Sequence, residues 1–205
     1  MKHESSKYHD IIQGNYTDIY ENLNQKVLNG IFWITKNCPK VPWTLHTDDD
    51  LIINTKILFN YIKKLELYKA NNLPAIHCRA DFDANVQRSG KWKVDKNMYE
   101  NDYFPPYCYG MFWLIPTKFL PRLINASMNA KTVWLDDVFV TGILAKKAKM
   151  FHINLKIGLN QFPDEENLHL IAWHASSYNN RKKWWKKIVE FNNSTLFHNK
   201  IQVAL

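Results

Sequence analysis

Two apolar rhythms alternate along this chain, and that alternation constrains its fold more than any single motif. HDIIQ (9–13), WTLHT (43–47), PAIHCRADF (74–82), GKWKV (90–94), MFWLI (111–115) and FHINLKI (151–157) have the alternation or short apolar run of strands. Between them the apolar residues recur every three or four positions. Thr17 is placed to cap a helix whose stripe is Ile19, Leu23, Val27, Ile31 and Ile34. NTKILFNYIKKLELY (54–68) sets Ile57, Leu58, Tyr61, Ile62 and Leu65 on one face. Further helices are expected from Thr117 to Met128, over 134–148 and over 178–191. Strands interleaved with helices predict an α/β fold, a sheet with both faces covered, in one domain spanning 1–205. YFPPYCYG (103–110) reads as a stiff aromatic loop, because two prolines fix φ and Gly110 permits a bend.

A hydrophobic content of 46% excludes a disordered chain. The excess of 27 basic over 19 acidic residues suits a polyanionic partner: nucleic acid, a phosphorylated small molecule or an anionic surface. Its one dense run, NNRKKWWKK (179–187), reads as a solvated helix face with Trp184 and Trp185 packed beneath. Cys38, Cys78 and Cys108 allow at most one disulfide. Asn-X-Ser/Thr triplets at Asn15, Asn125, Asn192 and Asn193 weakly favour a lumenal protein. No apolar run reaches the length of a membrane span.

WTLHTDDDLIIN (43–54) holds three adjacent carboxylates between apolar runs. The plainer reading is a solvated turn or helix start. Two features favour a ligand. The triplet follows a strand, and open α/β sheets bind ligands beyond the carboxyl ends of their strands. Clamped between buried segments, its charge also needs a partner. In an extended run Asp48 and Asp50 would face one side and Asp49 the other, offering paired oxygens to Mn²⁺ or Mg²⁺ and, through it, to a sugar-nucleotide diphosphate.

Four segments, in order, make the chain similar to a known family. They are HDIIQGNYTDIYENLNQKVLNGIFW (9–33), WTLHTDDDLIIN (43–54), YFPPYCYG (103–110) and LDDVFVTGILA (135–145). The chain resembles the β-1,3-glycosyltransferase family, which includes β-1,3-galactosyl- and β-1,3-N-acetylglucosaminyltransferases. That resemblance implies a GT-A-type, Rossmann-like mixed sheet flanked by helices. It also implies a UDP-sugar donor, Mn²⁺ dependence, inversion at the anomeric carbon and a glycan acceptor on glycoprotein or glycolipid. Asp48, Asp49 and Asp50 correspond to the family's donor motif, with Asp48 and Asp50 facing the metal. Asp137 corresponds to the catalytic base, and Tyr107, Gly110 and Asp136 line the acceptor loop. His174 occupies the position of a family histidine and completes the metal shell; its plainer reading is a hydrogen-bonded core residue. Asp136 and Asp137 could equally be an ordinary acidic helix start.

The chain departs from the family in three places. The family's anchor, stem and first strand–helix–strand unit precede the block at residue 9, so part of the uridine pocket is expected to be missing here. Met111, Phe112 and Trp113 stand where small residues are usual and are expected to narrow the acceptor cleft. His46 replaces a lysine and Asp136 a glutamate. The leading expectation is an inverting β-1,3-hexosyltransferase of the Golgi lumen, whose family members are membrane-anchored. The alternative is a truncated, non-catalytic glycan binder. A nucleic-acid-binding module fits poorly, because the aspartates would oppose its ligand.

Overall fold

The computed structural model of the chain describes residues 2–158, 163–164, 166–175 and 177–194. Its elements are α1 (Lys2–Tyr8), α2 (Leu23–Asn37), β1 (Trp43–Thr47), β2 (Leu51–Ile53), α3 (Thr55–Leu67), β3 (Ala75–Asp81), β4 (Tyr107–Pro116), α4 (Leu120–Ser127), a π-helical segment (Val138–Leu144) continuing as α5 (Ala145–Lys147), β5 (Phe151–Asn154), β6 (Ala172–His174) and α6 (Tyr178–Asn192). The main sheet has the order β1-β4-β3-β5, with β4 antiparallel to both neighbours and β3 parallel to β5. A second, antiparallel pair joins β2 to β6. The result is a mixed sheet flanked by helices, in line with a GT-A-like domain.

Strand alternation divides the core. Trp113 and Ile115 of β4 point into one cluster with Val27 and Ile31 of α2, Leu120 and Leu123 of α4, and Phe139, Val140 and Leu144. Phe112 and Leu114 point the other way, against Ile57 of α3, Ile171 and Phe191. Asn54 caps α3 by accepting from Ile57 N, and its fully buried amide exchanges hydrogen bonds with Asn192 of α6 at 3.0 Å each way. That pairing closes the C-terminal helix onto the sheet.

Between Cys78↔Trp113 and Ala80↔Cys108 the β3–β4 register shifts, so four residues of β4, 109–112, lie opposite Arg79 alone. A disulfide links Cys78 to Cys108 across this bulge. The pairing that the sequence left open is therefore decided, and Cys38 carries the free thiol.

Several expectations are corrected. Residues 9–13 form no strand: His9 turns the backbone with φ 55°, Ile12 is exposed, and no strand among the described residues lies alongside to complete a ladder. The helix expected from Thr17 starts at Leu23, after a single 3₁₀ turn over Tyr20–Asn22; Thr17 O instead accepts from Asn22 Nδ2. GKWKV (90–94) is a loop, held by Arg88 Nη1 donating to Val94 O and Tyr99 O rather than by a neighbouring strand. The aromatic loop ends early, since Tyr107–Pro116 is one continuous strand. Trp184 packs as expected against Ile52, Trp173 and Ile188, whereas Trp185 faces solvent.

Candidate active site

The aspartate triplet is the turn between β1 and β2, not an extended run, so the simple alternation of side chains does not hold there. Asp48 and Asp49 are exposed and Asp50 is half-buried. Three hydrogen bonds to its backbone fix the turn. Asp48 N donates to Met111 O of the β4 bulge (3.1 Å), Ala175 N donates to Asp50 O (2.8 Å), and Arg181 Nη1 of α6 donates to Asp49 O (2.6 Å). Arg181's hold on the triplet turn was missed by sequence reasoning, because the lysine-rich run around it read as a solvated face.

His174, on β6 opposite Leu51, places Nε2 3.1 Å from Asp50 Oδ2. Gly158 makes this possible: a Cβ there would lie 2.3 Å from Trp173, the fully buried neighbour of His174. The other oxygen of Asp50, Oδ1, is buried and has no hydrogen-bond partner among the described residues. Such an atom is costly unless a further donor or a cation meets it. Though its side chain is about half exposed, Asp48 is pushed upward by partial desolvation and by Asp50 and Asp49, and is pulled back by His174 and Lys26. An oxygen-rich turn with self-repelling carboxylates and one orphaned oxygen fits a hard divalent cation. Among the described residues, however, no three His, Cys, Asp or Glu side chains lie close enough to form a ready ion shell. The expected set of Asp48, Asp50 and His174 is therefore only partly assembled: Asp50 meets His174, while Asp48 leans toward His46.

His46 connects the triplet to the acidic pair. Its ring stacks on Trp113 with centroids 4.8 Å apart and planes 4° from parallel. Its Nε2 lies 3.9 Å from Asp48 Oδ1. Burial depresses the imidazole's pKa, while Asp136 and a hydrogen bond to the Gly110 backbone raise it. Asp136 is itself raised by burial and feels both His46 and Asp48. The triplet and the pair, 86 or more residues apart in the chain, thus come within electrostatic reach of one another around His46.

Asp137 opens the π-helical segment. Its Oδ1 accepts from Val138 N at 2.7 Å, and the Gly110 backbone donates to it as well. Burial pushes its carboxyl up to about 6, against those two bonds. Gly110 lies against Asp137, where even a Cβ would be in ordinary contact at 3.4 Å from Asp137 Cβ. Tyr107 is half-buried and raised by burial and by Asp137 and Asp81. Thr141 ties the pieces together: its Oγ1 accepts from Cys108 N (2.8 Å) and donates to Asp137 O (2.6 Å). Asp136, Asp137, Tyr107 and Gly110 are therefore gathered as expected. Of the three bulky residues expected to narrow or reshape the acceptor cleft, Phe112 and Trp113 are buried in opposite cores, Trp113 beneath the His46 ring, and Met111 is half-buried.

The family model described as Galactosyltransferase matches residues 1–156. Human beta-1,3-galactosyltransferase 2 is 32% identical over 143 residues, covering 70% of this chain and 34% of that protein. Its mouse counterpart is 30% identical over 146 residues, covering 71% and 35%. Human beta-1,3-galactosyltransferase 5 is 31% identical over 145 residues, covering 67% and 44%. The chain thus spans between a third and under half of the length of these relatives.

Proposed function

This chain belongs to the galactosyltransferase family, and on that premise we propose that it takes part in inverting transfer of a hexose, galactose or N-acetylglucosamine, from a UDP-sugar to the 3-hydroxyl of an acceptor glycan. The observation that carries this reading is the meeting of the two acidic clusters at His46, which brings the triplet turn within electrostatic reach of Asp136, next to the half-buried Asp137.

In this scheme Asp137 is the base. It takes the acceptor hydroxyl's proton as that oxygen attacks the anomeric carbon, and the bonding pair of the sugar–oxygen bond leaves with UDP on the opposite face. A carboxyl held near 6 is ionised at neutral pH yet basic enough to accept a proton. Backbone hydrogen bonds from Gly110 and Val138 hold the carboxylate in place. Asp48 and Asp50 would hold Mn²⁺ or Mg²⁺, with His174 orienting Asp50; the ion, when bound, supplies charge stabilisation to the departing diphosphate. The reading carries with it a Golgi-lumenal setting, which the Cys78–Cys108 disulfide supports. No helix among the described residues is long and apolar enough to cross a membrane.

A donor screen tests this reading: UDP-galactose and UDP-N-acetylglucosamine with Mn²⁺, following UDP release with and without acceptor glycans. Glycan-stimulated release from one donor is expected. No release from either would leave the competing reading, a glycan binder without transfer activity, which draws on the incompletely assembled ligand set.

A further inference from the structure

Beyond the crevice at Asp137, where β3 and β5 run parallel and end side by side, lies a cavity of about 930 Å³. Its volume is in the upper part of the range typical of small-ligand sites. Carboxyl ends of parallel strands are where α/β sheets hold ligands. The cavity also shares a wall with the candidate active site: Tyr109, which lines it, is one residue from the Gly110 that packs on Asp137, and its ring centroid is 6.0 Å from that of Tyr107.

The lining has the chemistry of a sugar site. Phe82 is 56% exposed at the cavity wall, and Tyr109 supplies a second ring. The Phe82 ring meets His152 edge-on at 6.4 Å and leaves more than half its surface open, and one face of a pyranose offers a patch of C–H groups to such a ring. Around the rings stand hydroxyl partners in fixed positions. Asp81 Oδ2 accepts from Tyr109 Oη (3.1 Å), and Asp81 Oδ1 accepts from Asp83 N (3.1 Å). The Arg79 guanidinium lies 5.5 Å from the Tyr109 ring centroid and donates to Ile157 O (3.4 Å). Both charged side chains are thus pre-oriented, with capacity left over for further bonds.

We propose that this cavity holds the sugar units of the acceptor glycan beyond the reacting one, with Phe82 and Tyr109 as stacking surfaces and Asp81 and Arg79 as hydroxyl partners. The proposal rests on the transferase reading for the word acceptor, but the binding it asserts is independent of transfer. Tyr109 and Phe82 are then the residues that set glycan preference.

The test is a saturation-transfer and titration experiment with methyl β-galactoside, methyl N-acetyl-β-glucosaminide and N-acetyllactosamine, each with and without UDP and Mn²⁺. The disaccharide is expected to bind more tightly than either monosaccharide. Phe82→Ala, at an exposed position that leaves the fold intact, should weaken disaccharide binding tenfold or more, as should Tyr109→Ala. Lys156→Trp, which fills the cavity from an exposed lining position, should abolish it. Asp50→Ala should leave binding of the disaccharide alone within twofold. Absence of glycan binding under both conditions, or unchanged binding in Phe82→Ala and Lys156→Trp, would overturn the proposal. Glycan binding that depends on Phe82 in a protein with no Mn²⁺–UDP affinity would instead sink the transferase reading and leave the sugar site standing.

Discussion

Asp137 carries two demands that pull against each other. As a base it must be ionised, yet its surroundings favour the protonated form, with its carboxyl near 6 against an ordinary 3.8. Its charge therefore destabilises the fold increasingly as pH rises through that window and has no such effect below it. Asp137→Asn should raise stability at pH 7 by up to about 3 kcal/mol and change little at pH 3 to 4, measured by chemical denaturation at both. The same variant should lose transfer while Mn²⁺–UDP binding stays within twofold, and wild-type kcat/KM should fall as pH drops through about 6. Asp50→Ala makes the opposite cut: calorimetry should show metal-dependent UDP binding weakened by at least tenfold. Both aspartates were legible in the sequence because of the company they keep, acidic pairs set against apolar runs. His46 and Arg181 were not, since their roles depend on what β4 and the triplet turn bring beside them.

At the scale of elements, the π-helical segment is where the base meets the acceptor loop. Thr141 is almost fully buried and serves both, accepting from Cys108 N and donating to Asp137 O. Thr141→Val keeps the shape and strands the Cys108 amide, which should cost about 1–3 kcal/mol and lower kcat more than donor affinity, as read by thermal melting alongside steady-state kinetics. Gly142 shows how close the elements lie, because a Cβ there would be 3.0 Å from Tyr107 Cβ. The sequence announced a helix over 134–148 but not its π character, since the segment is buried nearly all round and leaves no one-sided stripe from which to read a period. β1, α3, β3 and α6 were readable from period and caps. β2 and β6, three residues each, are too short to show a period; they exist because each pairs with the other. GKWKV failed for the converse reason: a strand pattern without a neighbouring strand stays a loop.

For the molecule as a whole, α/β class and the presence of covered sheet faces followed from alternating periods, while the order β1-β4-β3-β5 did not, because antiparallel pairing of β4 with both neighbours depends on contacts far apart in the chain. The disulfide is the strongest of those contacts. It joins residues 30 apart at the centre of the sheet, next to the acceptor loop. Cys78→Ser with Cys108→Ser should lower stability by about 2–4 kcal/mol in denaturant titration, and reductant should reproduce the loss in the wild type only.

The bowed stretch of β4 opposite Arg79 also sets a rule for divergence. Tyr109, on a cavity, and the half-buried Met111 have room to change identity, whereas Gly110 bonds Asp137 through its backbone and Phe112 is fully buried. The number of residues in the stretch cannot change, because removing one would turn Phe112 and Trp113 toward each other's half of the interior. Descendants of this chain are free to respell parts of that passage, but not to shorten it.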